Sequence, residues 1–178
     1  MQKMSKNIVF IGFRATGKTT IGKLVAQTLG YLFLDTDVLI ENRTGRTIAE
    51  IVEQEGWTGF RKREKEIIKE LGFKQNLVIA VGGGAVLDEE NVIYLKKNGI
   101  LIWLKAQPET ILRRLIRDKK TVSQRPSLTG KSPLEEINEV LNQRLAIYQK
   151  VADKMIDTEE KNPQEIAKEI IKEIVSLF

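Results

Sequence analysis

The sequence predicts an α/β fold built on a parallel sheet with helices on both faces. Three observations carry that expectation. Short apolar runs such as NIVFI at 7–11 and LVIAV at 77–81 hold no charged residue, as strands buried on both sides require. Segments with helical spacing separate these runs, so strand and helix alternate along the chain. The stretch GFRATGKT, Gly12 to Thr19, stands where the first strand passes into the first helix.

Taken in order, Asn7–Ile11 is the first strand. Over Lys18–Leu29, Ile21, Leu24, Val25 and Leu29 share one helical face, and Gly30 ends the helix. Residues 31–34 form a second apolar strand. Thr47-Ile-Ala-Glu50 is a capping box that opens a helix, which Gly56 closes. Another helix covers 60–71, with Ile67, Ile68 and Leu71 inward. The third strand is 77–81. A helix near 89–97 leads to the fourth strand, ILIWL at 100–104. Pro108 starts an arginine-rich helix. The stretch KKTVSQRPSLTGKS, 119–132, is polar and without periodicity; in a compact domain such a segment is either disordered or a functional lid. A long amphipathic helix over 134–150, a candidate fifth strand at 154–156 and a closing helix over 163–178 complete the chain. The 178 residues, with no internal repeat and no low-complexity linker, suit one domain spanning 1–178.

Composition narrows the chemistry. The 42% hydrophobic and 30% charged content is ordinary for a globular protein, and no apolar run is long enough to span a bilayer. The start, MQKMSKNIVFIG, runs almost at once into a strand, so no signal or transit peptide is expected. There is no cysteine, which excludes disulfides and thiolate catalysis and fits a reducing cytoplasm. There is no histidine, so a general base must be a carboxylate, a lysine or a tyrosine. The net charge of +5 is dispersed among acidic residues, without a basic stripe or an arginine-rich tail. That pattern favours small anionic ligands over nucleic acid, and no membrane partner is expected.

Gly12–Thr19 matches G-x-x-x-x-G-K-[ST] in the strand-to-helix context the motif needs. Glycines let successive backbone N–H groups face one anion, and the helix starting near Lys18 adds its positive end. Lys18 reaches the outer phosphates, and the Thr19 hydroxyl is placed for Mg²⁺. With glycine near 7% of residues, chance yields the pattern in roughly one chain of this size in two hundred. The loop is therefore read as a nucleoside triphosphate site. No Asn-Lys-x-Asp stretch is present for reading guanine, and the chain is short for a motor, which leaves transfer of phosphate to a small acceptor.

The acceptor site has its own candidates. In LDTD, Asp35 and Asp37 are two apart, so on an extended backbone both point to one side, at the carboxyl end of a strand where ligands gather. One could hold Mg²⁺ and the other could accept the acceptor hydroxyl's proton; the bland alternative has Asp37 only capping the next helix. Gly82, Gly83 and Gly84 clear side chains from the mouth of the sheet. Arg61 and Glu64 of GFRKRE are spaced to pair on a helix, which would let Arg61 present its fork to a carboxylate, although surface pairs of this kind are common. Arg144 in NQRLAIY carries the same two readings. Arg125 in QRPSL lies in the polar stretch, either solvated or able to close over phosphates.

Together GFRATGKT, LDTD, GFRKRE, AVGGG, QRPSLTGK, NQRLAIYQKVAD and IDTEEKNP occur in the order and approximate spacing of shikimate kinases, and the resemblance spans the chain from Asn7 to the last helix. It implies a P-loop NTPase fold similar to nucleoside monophosphate kinases: a three-layer α/β/α sandwich with a five-stranded parallel sheet, a substrate-binding helical region at about 38–72 and a lid at about 119–132. It implies ATP-dependent phosphorylation of the 3-hydroxyl of shikimate, toward chorismate and the aromatic amino acids, in a cytoplasmic monomer using Mg²⁺. Gly12, Ala15, Thr16, Gly17, Lys18, Thr19 and Thr20 would bind ATP, with Lys18 also catalytic. Asp37 matches the aspartate that binds shikimate hydroxyls and serves as base, and Asp35 the acidic residue near the metal. Arg61, Arg144 and Gly83, with Gly82 and Gly84 beside it, match the grip on shikimate. Arg125 matches the catalytic lid arginine, Arg117 the arginine packed on adenine, and Lys161 the loop bordering adenine. Two departures, Trp57 after Gly56 and Arg14 inside the P-loop, remove no group the chemistry requires. The competing readings are a kinase for another small acceptor such as gluconate or a nucleoside, and a nucleotide-binding regulator without turnover.

Overall fold

The computed structural model describes residues 6–117 and 127–175. Five strands make one sheet: β1 (Asn7–Ile11), β2 (Leu32–Asp35), β3 (Leu77–Ala80), β4 (Gly99–Lys105) and β5 (Lys154–Asp157). All pairings are parallel and the spatial order is β2-β3-β1-β4-β5. β1 sits at the centre, with Val9 opposite Ile79 on one side and Leu101 on the other. Parallel strands need crossovers, and the helices supply them: α1 (Lys18–Leu29), α2 (Thr36–Thr44), α3 (Ile48–Leu71), α4 (Glu89–Asn98), α5 (Pro108–Arg117), α6 (Pro133–Val151) and α7 (Pro163–Val175). A 3₁₀ turn, Ala85–Leu87, follows the triple glycine.

The strand alternation divides the core in two. Val9, Ile11, Ile79, Leu101 and Trp103 face one way and pack with residues of α2, α3, α4 and α6, among them Ile40, Ile67, Leu95 and Tyr148. Ile8, Phe10, Val78, Ile102 and Leu104 face the other way, against Ile21 and Val25 of α1 and Ile166 and Ile170 of α7. Every residue of β1 is buried, which is why that run could be all apolar. A third cluster joins Phe13 of the P-loop to Ile111 and Leu115 of α5 and to Ile137 and Val140 of α6. The three-layer α/β/α architecture expected from the sequence is the one observed.

Two local features depart from expectation. Gly56, at φ 67° and ψ 177°, does break the helix that starts at the Thr47–Glu50 capping box, as expected, but helical turns resume at once, so the two halves of α3 meet at a kink with no gap between them. The short helix α2 falls in the helical region expected at about 38–72, but nothing in the sequence marked it as a separate helix with its own bounds. Asp35 caps it by accepting the Asp37 N–H at 3.0 Å, and Gly45, at φ 65°, closes it. Its buried face consists of Thr36, Asp37 and Ile40, so it carries almost no apolar stripe to read.

Candidate active site

The P-loop joins β1 to α1 at the carboxyl edge of the central strand. Gly12 has a φ of 132°, and a Cβ there would lie 2.5 Å from the Leu104 carbonyl oxygen, so only glycine fits. Thr16 Oγ1 donates to the Phe13 carbonyl at 2.8 Å and closes the loop on itself. Gly17 supplies no side-chain cap, leaving the first N–H groups of α1 to the loop cavity. Lys18 Nζ reaches back across the mouth to the carbonyls of Gly12 and Phe13, at 2.8 and 2.7 Å.

Asp35 and Asp37 are not the same-side pair that alternation predicts, because the strand stops at Asp35 and Asp37 lies in the first turn of α2. The helix turn divides them between two sites. Asp35 Oδ2 accepts the Thr19 hydroxyl at 2.9 Å, while its Oδ1 caps α2. Asp37 is buried and lines a separate cleft. The capping role therefore belongs to Asp35.

That second cleft gathers Asp37, Arg61, the three glycines and Arg144, walled by Trp57, Phe60 and Leu128. It adjoins the P-loop closely: a Cβ on Gly83 would lie 3.2 Å from the Gly12 carbonyl oxygen and 3.3 Å from Arg144 Nη1. Arg61 pairs with Glu64, as their spacing anticipated, but this is no surface pair, since the Glu64 side chain is fully buried. An unpaired carboxylate there would cost on the order of several kcal/mol. Burial pushes the Glu64 carboxyl up, with the Arg61 and Arg144 guanidiniums opposing. The Arg61 guanidinium is also flanked by the rings of Phe60 and Trp57, with centroids at 5.1 and 5.9 Å.

The triple glycine does more than expose backbone. A Cβ on Gly84 would come within 2.3 Å of Arg61 Nη2, and one on Gly82 within 2.5 Å of Glu64 Oε1. The glycines make room for the charged groups that shape the cleft. Tyr148 Oη donates to the Gly83 carbonyl, and burial pushes its phenol up, which keeps it a donor. Tyr148 was missed in the sequence, although it follows Arg144 by four residues and so shares its helix face.

The nucleotide cleft continues beyond the P-loop. Ala15, Thr16, Gly17 and Thr20 line one wall, and Arg114, Thr158, Lys161 and Pro163 the other. Arg114 was not anticipated. Its guanidinium donates to Thr158 O at 2.8 Å, Thr158 Oγ1 at 3.1 Å and Ala15 O at 3.3 Å, joining α5 and the segment after β5 to the loop. Arg117 is exposed and lines an adjoining groove with Arg113, Arg114 and Glu159. Lys161 lines the cleft while pairing with Glu169 at 2.6 Å. Arg125 lies outside the described residues, as does most of the expected lid.

A family model described as shikimate kinase matches residues 14–175. The chain belongs to the shikimate kinase family. A shikimate kinase of Thermodesulfovibrio yellowstonii is 48% identical over 94% of each chain, and one of Caldanaerobacter subterraneus subsp. tengcongensis is 45% identical over 97% of this chain and 98% of its own. The structure is similar to that of a shikimate kinase from Acinetobacter baumannii solved in complex with shikimate, with a TM-score of 0.90 and 38% identity over 98% of this chain and 95% of the other. A gluconokinase from Sinorhizobium meliloti shares the fold at a TM-score of 0.65 and 19% identity, over 99% of this chain and 95% of that one.

Proposed function

We propose that this family member transfers the γ-phosphoryl group of ATP to the 3-hydroxyl of shikimate, releasing shikimate 3-phosphate and ADP. The observation that carries the reading is the convergence of Asp37, Arg61, Gly82–84 and Arg144 in one cleft against the P-loop. Shikimate is a small carboxylate with several hydroxyls, and this cleft offers two guanidiniums and a buried aspartate. Asp37 accepts the proton of the attacking hydroxyl. Arg61, fixed by Glu64, and Arg144 hold the carboxylate. Gly83 presents backbone to the ring. Lys18 leaves its loop carbonyls for the outer phosphates, and the α1 N–H groups take the rest.

Thr19 and Asp35 would hold Mg²⁺. The fit is good: both are hard oxygen donors, already 2.9 Å apart at the end of the P-loop, and this ion favours few protein ligands beside phosphate and water. When bound it neutralises charge on the phosphate oxygens. Arg114 and Lys161 border the adenine end, with Arg117 at its edge. Arg125, on a lid covering 119–132, adds positive charge over the phosphates and keeps water from the phosphoryl group. The chain acts as one domain, its helical region at 38–72 carrying the acceptor, and works as a cytoplasmic monomer without nucleic acid. Among the described residues no helix is long and apolar enough to cross a membrane.

A gluconate kinase would share the P-loop but would not require Arg61, Arg144 and the triple glycine together. The test is ADP release from ATP and Mg²⁺ with shikimate, gluconate, quinate or nucleosides as acceptor. Release that depends on shikimate alone is expected. Release indifferent to shikimate would sink the acceptor assignment while leaving the nucleotide loop standing.

A further inference from the structure

Arg14 stands in the phosphate loop beside Phe13, and the phosphate chemistry has no use for its side chain. Its guanidinium packs on the Phe13 ring, 5.5 Å from the centroid, and pairs with Glu136 in the first turn of α6. The Glu136 side chain is only 3% exposed. One carboxylate oxygen takes Arg14. The other accepts the Ser127 hydroxyl and the backbone N–H groups of Leu128 and Thr129, at 2.8 and 3.1 Å. These bonds and the Arg14 charge hold the carboxyl below the usual glutamate range despite burial, so it stays ionised. Two of this carboxylate's partners, Arg14 and Leu128, line the acceptor cleft. Glu136 also shares a helix face with Arg144, eight residues on, which lines the same cleft.

We propose that Glu136 is a positioning residue for the acceptor cleft: it ties Leu128, in the cleft wall, to Arg14 of the nucleotide loop, so that wall and loop keep one spacing. This rests on the acceptor reading given above. Arg14 on this view is committed to Glu136 and does not grip the acceptor's carboxylate itself. A buried ion pair is a poor source of stability, but both oxygens of this carboxylate are hydrogen-bonded, which fixes Arg14 and the 127–129 backbone relative to one another.

The test compares Glu136→Gln, Arg14→Met and the double variant in the full chain. KM for shikimate is expected to rise about tenfold in each. The double variant should be no worse than either single one, because both remove one unit. KM for ATP and kcat should move far less. A second measurement needs no substrate: amide hydrogen exchange at Leu128 and Thr129 should quicken in Glu136→Gln. Shikimate KM within twofold of wild type in all three, with only Tm lowered, would overturn the proposal and leave a structural ion pair. Arg14→Met costing far more than Glu136→Gln would overturn it too, making Arg14 a direct ligand. Unchanged exchange at 128 and 129 would refute the tie whatever the substrate. A wild-type enzyme indifferent to shikimate would overturn both readings, whereas wild-type dependence with unmoved variants overturns this one alone.

Discussion

The nucleotide loop is a backbone device made from one contiguous stretch, in which Gly12 and Gly17 take positive φ so that N–H groups converge on an anion. The acceptor cleft is a side-chain device assembled from four separated segments, where Asp37, Arg61 and Arg144 meet only because the first turn of α2 and the middle turns of α3 and α6 border one cleft. The difference teaches how each part tolerates change. A backbone site is generic and binds what many proteins bind. A side-chain site is specific, and Asp37, Arg61 and Arg144 lie on segments outside the phosphate loop, so each can be substituted singly.

Asp37→Asn is the sharpest way to break that comparison. It should lower kcat by about 10²–10⁴ while ATP affinity, measured by equilibrium titration, stays near wild type. A variant keeping most of its rate would mean that positioning by Lys18 and the metal carries catalysis without a base. Next, Arg61→Ala or Arg144→Ala should raise KM for shikimate by roughly 10–100-fold and leave KM for ATP within a few-fold. Arg61→Ala should also lower Tm more than Arg144→Ala, because it strands the buried Glu64.

Gly84→Ala sharpens the same contrast with a single methyl group. Its φ is ordinary, and the group it would strike is the flexible end of Arg61. The fold should survive, shikimate KM should rise several-fold and ATP KM should not move; equal loss on both substrates would show that the two clefts are one mechanical unit. The smallest effect belongs to Arg114→Ala. Its three hydrogen bonds shape only the nucleotide wall, so ATP KM should rise by about threefold to tenfold with shikimate KM unchanged.

The strands were legible because burial on both faces leaves almost no freedom in composition, and NIVFI and ILIWL could be little else. Boundaries slipped where a residue served two elements: Asp35 ends β2 and caps α2, so neither strand alternation nor apolar periodicity described the step to Asp37. Arg114 was hidden for another reason. Three arginines follow one another in LRRLIR, and nothing local says which of them turns toward Thr158 and Ala15.

By itself the sequence determined the order of strands and helices, the phosphate loop and the set of charged groups available for an acceptor, because these follow from local periodicity, from the backbone freedom of glycine and from chemical type. Only the tertiary structure decided which charges meet. It buried Glu64 behind Arg61, set Asp35 toward Thr19 and Asp37 into a separate cleft, and drew Arg14 to Glu136. Those pairings join residues far apart in the chain, and a partner is fixed by the crossing of elements on the sheet, which no local pattern encodes.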